Sequence, residues 1–439
     1  MTFKSVRPIV FALLASAVCA MPAAAQRAAG PFSGILGAVA DADARHTLEV
    51  RGSLFGAWDD TLTTANDPAL DQRFLRSGGA GGASGSLDHA LRTTRFQWDS
   101  SLGTSFRLYG TGSQDHAATY NGRTGINTSL SRRVTWSANA DFSYSPYYAF
   151  APGIDDRVTP VGAFGGGFNV ATAAERNLAT SVGSGIGVQL SQRDGLSFDG
   201  RATRFNFMDQ ADSNVDTWRV GGRLTHTLTR SLGLYAGFYR EEVGYQSPGS
   251  SPVKTDSFDF GIDYHDSLVF SLARRTAVSF ATSTSAMRWN NATHFRLNGN
   301  AALTQSFGRS GSASLNYTRD TDFNAGFTAP LLRDSISAGV SNQILRRTTW
   351  SAVAAWEHGG IGFGPGAGSF DAYSAGGGIS VALTRRIGFF TDYSYYRYDV
   401  PAGSTTFTSL SRFSRQSVTA GLSLWAPLIA DKRSFRDTR

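Results

Sequence analysis

The chain has 439 residues, a formal charge of +7, 41% hydrophobic and 17% charged residues, and 49 glycines, which allows one large barrel or two to three ordinary domains. Its one cysteine, Cys19, falls inside an export leader, so the mature chain is expected to have neither disulfides nor cysteine metal sites. The pI near 9.6 does not signal nucleic acid: twelve arginines sit in short recurring turns and form no nucleic-acid motif.

Lys4 and Arg7 precede an uncharged run from Ile9 to Ala20, the length of a signal h-region and too short for a comfortable bilayer span. Ala23-Ala24-Ala25 supplies small residues for cleavage before Gln26. Residues 1–25 are therefore read as a signal peptide, 26–45 as a periplasmic segment, 46–426 as a transmembrane barrel and 427–439 as a periplasmic tail. No later stretch approaches eighteen consecutive apolar residues, so no helical span is expected.

Apolar residues instead alternate with polar ones. Val134, Trp136, Ala138, Ala140, Phe142 and Tyr144 interleave with Thr135, Ser137, Asn139, Asp141, Ser143 and Ser145. Phe258, Phe260, Ile262 and Tyr264 alternate with Asp259, Gly261 and Asp263; Phe295, Leu297, Gly299, Ala301 and Leu303 alternate with Arg296, Asn298, Asn300, Ala302 and Thr304. Period two gives a strand one oily and one polar face. Runs of about ten to fourteen residues suit a tilted membrane strand.

A basic punctuation recurs between these runs: Leu91-Arg92, Leu130-Ser131-Arg132-Arg133, Leu190-Ser191-Gln192-Arg193, Leu228-Thr229-Arg230, Leu272-Ala273-Arg274-Arg275, Phe307-Gly308-Arg309, Leu345-Arg346-Arg347 and Leu383-Thr384-Arg385-Arg386. The leading hydrophobes stand 39, 60, 38, 44, 35, 38 and 38 residues apart, the length of two strands, a tight turn and a loop. Eight turns join sixteen strands; with one at Leu48–Trp58 and one at Gln416–Ala426 the count is eighteen, sixteen being the alternative. The expected fold is all-β: an antiparallel up-and-down transmembrane barrel with short periplasmic turns and longer extracellular loops. Trp98, Trp136 and Trp350 are placed in one aromatic girdle, and Tyr144, Tyr147, Tyr148, Tyr239, Tyr395 and Tyr398 in the other.

The longer loops and their flanks carry Asp59, Asp155, Asp156, Asp209, Asp212, Asp216, Glu241, Asp320 and Asp322, opposite the basic turns. Alternation turns Arg51, Asp99, Arg107, Asp141, Arg201, Arg219, Arg223, Asp259, Asp263, Arg296 and Asp392 inward as pore-lining candidates, together with Arg123, Glu49, Asp88 and Asp199. These groups are either paired struts or a wet lining, and no single-sign ladder predicts sharp ion selectivity. The seven histidines lack metal-ligand spacing, and Gly359–Gly368 lacks the Lys-Ser/Thr of a phosphate loop. No catalytic residue, metal or cofactor is expected; a set built on His294 with nearby serines is the enzymatic alternative.

With this alternation, strand ends such as Ser143–Tyr148 and the late Leu-Trp-Ala-Pro-Leu at 424–428, the mature chain resembles bacterial outer-membrane barrels of the porin type. It is similar also to large barrels associated with exopolysaccharide systems. It departs from porins in continuing past Trp425 to Arg439 instead of ending on an aromatic residue; Thr419–Leu424 could still serve as the signal to the barrel-assembly machinery. The resemblance implies a third outer loop, about 146–180, folded into the barrel, with Asp155, Asp156, Arg157, Glu175 and Arg176 at a constriction. It implies outer-membrane lipid, lipopolysaccharide and small solutes as partners, leaves homo-oligomerisation open, and gives no nucleic-acid role. The expected function is passive diffusion of small solutes. A barrel for exopolysaccharide export or envelope anchoring is the alternative, and an outer-membrane enzyme the third reading.

Overall fold

The computed structural model describes residues 45–61, 78–109, 116–146, 148–149, 171–173, 176–209, 214–229, 232–246, 252–264, 266–267, 276–289, 292–308, 310–323, 327, 329–345, 347–363, 368–400 and 412–431. The segment read as a leader, with its expected cleavage site, and most of the expected third outer loop lie outside them. The described chain folds into eighteen antiparallel strands that close into one barrel. In chain order they are β1 (His46–Thr61), β2 (Gly78–Arg92), β3 (Phe96–Tyr109), β4 (His116–Ser129), β5 (Val134–Ser145) and β6 (Asn177–Gln189). Next come β7 (Asp194–Phe207), β8 (Val215–Thr227), β9 (Leu232–Tyr245), β10 (Val253–Tyr264), β11 (Thr276–Trp289) and β12 (Ala292–Phe307). Last are β13 (Gly311–Asp322), β14 (Leu331–Leu345), β15 (Thr348–Ile361), β16 (Gly368–Ala382), β17 (Ile387–Asp399) and β18 (Arg412–Asp431). Short pieces at Tyr148–Ala149, Ala171–Ala173 and Asp266–Ser267 complete the pairing.

Closure runs through β1 and β18, with Leu54 opposite Leu422 and Ser53 opposite Ser423. A closed ladder satisfies backbone N–H and C=O groups without water, the condition for crossing hydrocarbon. The alternation sorts side chains as period two requires: on the outside Leu54 is 67% exposed, Phe260 66%, Phe295 78% and Leu297 63%. So broad an apolar surface needs a lipid environment. Trp98 and Trp136 lie on this face, where their indole Nε1 groups donate to Thr124 (2.9 Å) and Ser184 (3.1 Å).

The repeated turn has a local cause. The hydroxyl ahead of the arginines folds back over the turn: Ser131 Oγ accepts from the backbone N–H groups of Arg133 and Val134 at 3.2 and 3.1 Å, and Thr384 Oγ from those of Arg386 and Ile387 at 3.2 and 3.0 Å. Ser191 and Thr93 do the same. Ser and Thr favour turns through such bonds, and the arginines are left pointing to water.

Three departures from the sequence reading have physical reasons. The last strand runs to Asp431, past the expected end at Ala426, because a bulge between the Glu49–Pro427 and Leu48–Ile429 pairs absorbs Leu428 and lets the ladder resume beyond the proline. Strands β10 and β11 share a ladder only from Lys254–Arg288 to Phe258–Thr284. Beyond it, Tyr235 reaches across Gly261, and its hydroxyl donates to the Thr282 carbonyl at 2.7 Å. Any Cβ at 261 would lie 2.2 Å from that ring, so only glycine admits the reach. Finally, Tyr239 and Tyr398, assigned to an outer girdle, are on the inner face and 7% and 0% exposed. Aromatic clustering near strand ends does not fix the side of the sheet; parity does.

Candidate functional site

The site is the lumen. Strand register puts all eleven sequence candidates on inward positions: Arg51, Asp99, Arg107, Asp141, Arg201, Arg219, Arg223, Asp259, Asp263, Arg296 and Asp392. For Asp263 only the backbone, opposite Gly233, is described. The lumenal charges largely meet one another. Arg51 contacts Glu49 (3.1 Å) and Asp88 (3.6 Å), and Arg92 lies 3.7 Å from Asp99. Arg201 donates to Ser181 Oγ at 2.8 Å and sits 3.9 Å from Asp141. Arg107 and Arg415 both approach Asp59, at 3.9 and 3.2 Å. Asp392 stands apart: its Oδ1 has no hydrogen-bond partner, and Gly378 opposite leaves it room, since a Cβ there would lie 2.1 Å away.

One wall, β7–β10, interleaves guanidinium groups with phenol rings. Arg219 lies over Tyr239 at 4.3 Å and Arg223 over Tyr235 at 4.5 Å, with Arg223 paired to Asp259 at 3.2 Å. Glycine makes this packing sterically feasible: a Cβ at Gly221 would meet the Tyr239 ring at 2.1 Å. The facing wall, β12–β16, is dominated by hydroxyl and amide groups. Ser312 and Ser341 share a 2.9 Å bond, Asn298 donates to Ser285 at 3.0 Å, and Asn316 to Ser337 at 3.5 Å.

Towards the extracellular ends of the strands the lumen changes character. The sequence reading put Asp320 and Asp322 in an outer loop and its flank, but β13 carries both onto the inner face. There Arg333, which the sequence reading missed, bonds Asp320 (Nε, 2.7 Å) and Glu357 (3.0 Å) and lies 3.5 Å from Asp322. The Glu357 side chain is 0% exposed and its second oxygen has no partner. The signal was present in the alternation of Arg333 with Leu332 and of Glu357 with Trp356, but nothing in the sequence marks burial.

Above this network, on β7–β11 and β14–β17, the inward positions become apolar. Phe207, Val243, Val253, Met287, Ile361 and Phe370 form one buried cluster, joined by Phe327 and Ala329 from between β13 and β14. Its contacts join strands that are not neighbours in the wall. Trp289 on β11 lies 5.9 Å from Phe363, just beyond β15, and His294 stacks on the same ring at 4.2 Å and 8°. Four strand spacings separate β11 from β15, roughly 19 Å along the wall. His294 is thus a packing group, and among the described residues it makes no hydrogen bond to a serine or aspartate.

Of the third-loop charges, Asp155, Asp156, Arg157 and Glu175 lie outside the described residues. Arg176 is at the rim, where its Nε donates to Asp209 Oδ2 at 3.0 Å. That guanidinium holds the Asp209 carboxyl below its ordinary range. The neighbouring polar residues go separate ways: Asp216 pairs with Arg204 at 3.1 Å, while Asn214 accepts from the Phe207 backbone N–H at 2.7 Å. Among the described residues no group of three or more His, Cys, Asp or Glu is placed to hold a metal ion.

No protein-family model matches the chain, and no curated protein matches it. Among solved structures the chain is similar to Pseudomonas aeruginosa OpdQ, at 10% identity and a TM-score of 0.44 over 88% of this chain and 98% of that one. It is similar also to Pseudomonas aeruginosa OccK2 (OpdF) in complex with glucuronate, at 8% and 0.44 over 88% and 98%. Acinetobacter baumannii OccAB4 follows at 10% and 0.41 over 87% and 98%.

Proposed function

We propose that the chain is a bacterial outer-membrane channel for passive diffusion of small solutes, exported by its 1–25 leader and inserted by the barrel-assembly machinery. The observation that supports this best is the sorting of the barrel wall: a lipid-facing belt of Leu and Phe outside, and inside a wall of hydroxyl, amide and mutually paired charged groups. A polar interior inside an apolar cylinder is the arrangement of a solute pathway. The inward charges serve as its lining; their pairing favours weak discrimination between cations and anions, because opposite signs cancel along each wall. Lipid and lipopolysaccharide surround the outer half, and passage needs neither cofactor nor catalytic group.

The test is reconstitution of the purified, folded chain in planar bilayers. Discrete conductance steps with little change in reversal potential between potassium and chloride gradients are expected. A folded, heat-modifiable barrel that neither conducts nor swells sugar-loaded liposomes would remove the channel reading.

A further inference from the structure

We propose that the apolar layer at the extracellular end of the lumen is the selectivity barrier, retarding ions more than uncharged solutes of similar size; this rests on the channel reading above. Three independent observations converge on it. Inward residues of an open aqueous pore are wetted, yet Val243 and Val253 are 0% exposed, Phe370 1%, Met287 and Phe327 2% and Ile361 6%. The contact of Trp289 with Phe363 cuts across one side of the lumen, joining β11 to the end of β15, four strands away. Directly beneath, the Glu357 side chain is 0% exposed although it sits on the lumenal face of β15. Bulk water therefore reaches none of these side chains, although Asp320 and Asp322 beside Glu357 keep 34% and 36% of theirs exposed.

The physical consequence is asymmetric. An ion entering an apolar constriction sheds hydration with nothing to replace it, whereas an uncharged molecule loses far less. The paired charges of the mid-lumen cannot lower that barrier, because they lie beneath it and are already engaged. Neutral small molecules with some apolar surface are thus the favoured class, and the layer is the selecting element because the lumen below it is polar on both walls.

Phe327→Ser tests this, because Phe327 lies outside the eighteen strands; Phe370→Ser, within β16, gives a second and independent opening of the layer. Ser283→Ala, lower in the lumen, is the control. Potassium chloride conductance in planar bilayers and arabinose-driven liposome swelling are measured on the same heat-modifiable preparations. The expected result is a severalfold rise in conductance with a smaller rise in swelling for both layer variants, and neither for the control. Equal rises in conductance and swelling would overturn the apolar filter in favour of a purely steric one. Native conductance already equal to that of the folded variants would overturn the layer as a barrier while leaving the channel reading intact. Absence of both conductance and swelling in native and variant barrels alike would sink the two together.

Discussion

The two ends of one lumen meet opposite conditions. At the periplasmic end, the Arg51 side chain is 29% exposed beside Glu49 at 7% and Asp88 at 28%, and hydroxyl pairs such as Ser53–Ser84 at 2.8 Å line the wall. At the extracellular end, Arg333 holds three carboxylates, one fully buried, under a cap of aromatic and aliphatic side chains. The two arginines are almost equally exposed, at 29% and 26% of their side chains, so the difference lies in the carboxylates each one serves: three round Arg333, with Glu357 at 0%. Where water reaches, an ion pair contributes little; where it does not, each charge depends on its partner. The barrel is tolerant at one end and fastidious at the other.

Removing one cation from each end should expose that difference most strongly. Arg333→Ala leaves Glu357 buried beside Asp320 and Asp322 with no counter-charge, a loss of about 3–5 kcal/mol. Arg51→Ala should cost roughly 1 kcal/mol or less. Urea unfolding of the folded variants in detergent, followed by tryptophan fluorescence, reads both. Equal midpoints would mean that the outer network is as solvated as the inner one.

The next effect concerns the wall itself. Leu297 is 63% exposed on the lipid side, while its neighbour Asn298 bonds Ser285 inside. Leu297→Arg should cost about 2–4 kcal/mol near the bilayer midplane. Asn298→Arg should leave assembly nearly intact, because its neighbours on the lumenal wall are polar. Folding yield into lipid vesicles separates them, and equal yields would reverse the register of β12.

The sequence made some of this legible and hid the rest for identifiable reasons. Parity along β5, β10 and β12 carried the inside–outside sorting, because a strand allows only two faces. The Leu-Ser/Thr-Arg-Arg punctuation marked the turns correctly, although the hydroxyl bond that explains it needed coordinates. What parity cannot convey is depth. Asp322 and Glu241 read as acids of a loop and of a loop flank because strand ends carry no sharp signal, and both continue the inward rows of β13 and β9. The apolar layer arises from residues on strands far apart in sequence, such as Val253 and Phe370, whose meeting depends on barrel closure. Tyr239 was misplaced by position along the strand when its odd-numbered row already contained Tyr235 and Glu241.

A smaller effect lies at the seam. Tyr235→Phe keeps the ring over Gly261 and removes only the donor to the Thr282 carbonyl, so about 1 kcal/mol should be lost. Amide exchange at the lower β10–β11 boundary should quicken, while exchange in β1–β2, whose ladder is continuous from His46 to Asp59, stays unchanged. Unchanged protection at the seam would show that the tyrosine is not substituting for the missing ladder bonds.

The smallest effect belongs to the solvated rim, where Arg176 and Asp209 meet outside the strands. Their pair is exposed, at 55% and 40% of the two side chains, so solvent screens it. The sign of its pH dependence is nevertheless fixed. Asp209 is shifted downward by the bond from Arg176, so the folded form binds its proton more weakly than the unfolded chain does. Its contribution is present above the unfolded carboxylate range, near 3.9, and fades as pH falls through the lower folded value. Asp209→Asn should flatten the acid limb of the stability profile slightly without altering stability at pH 7 by more than about 1 kcal/mol. Asp320→Asn, in the Arg333 network, should lower stability at neutral pH more, since it weakens a close bidentate partner of Arg333. If the rim substitution proved the more damaging of the two, depth in the lumen would not be what decides the strength of these pairs.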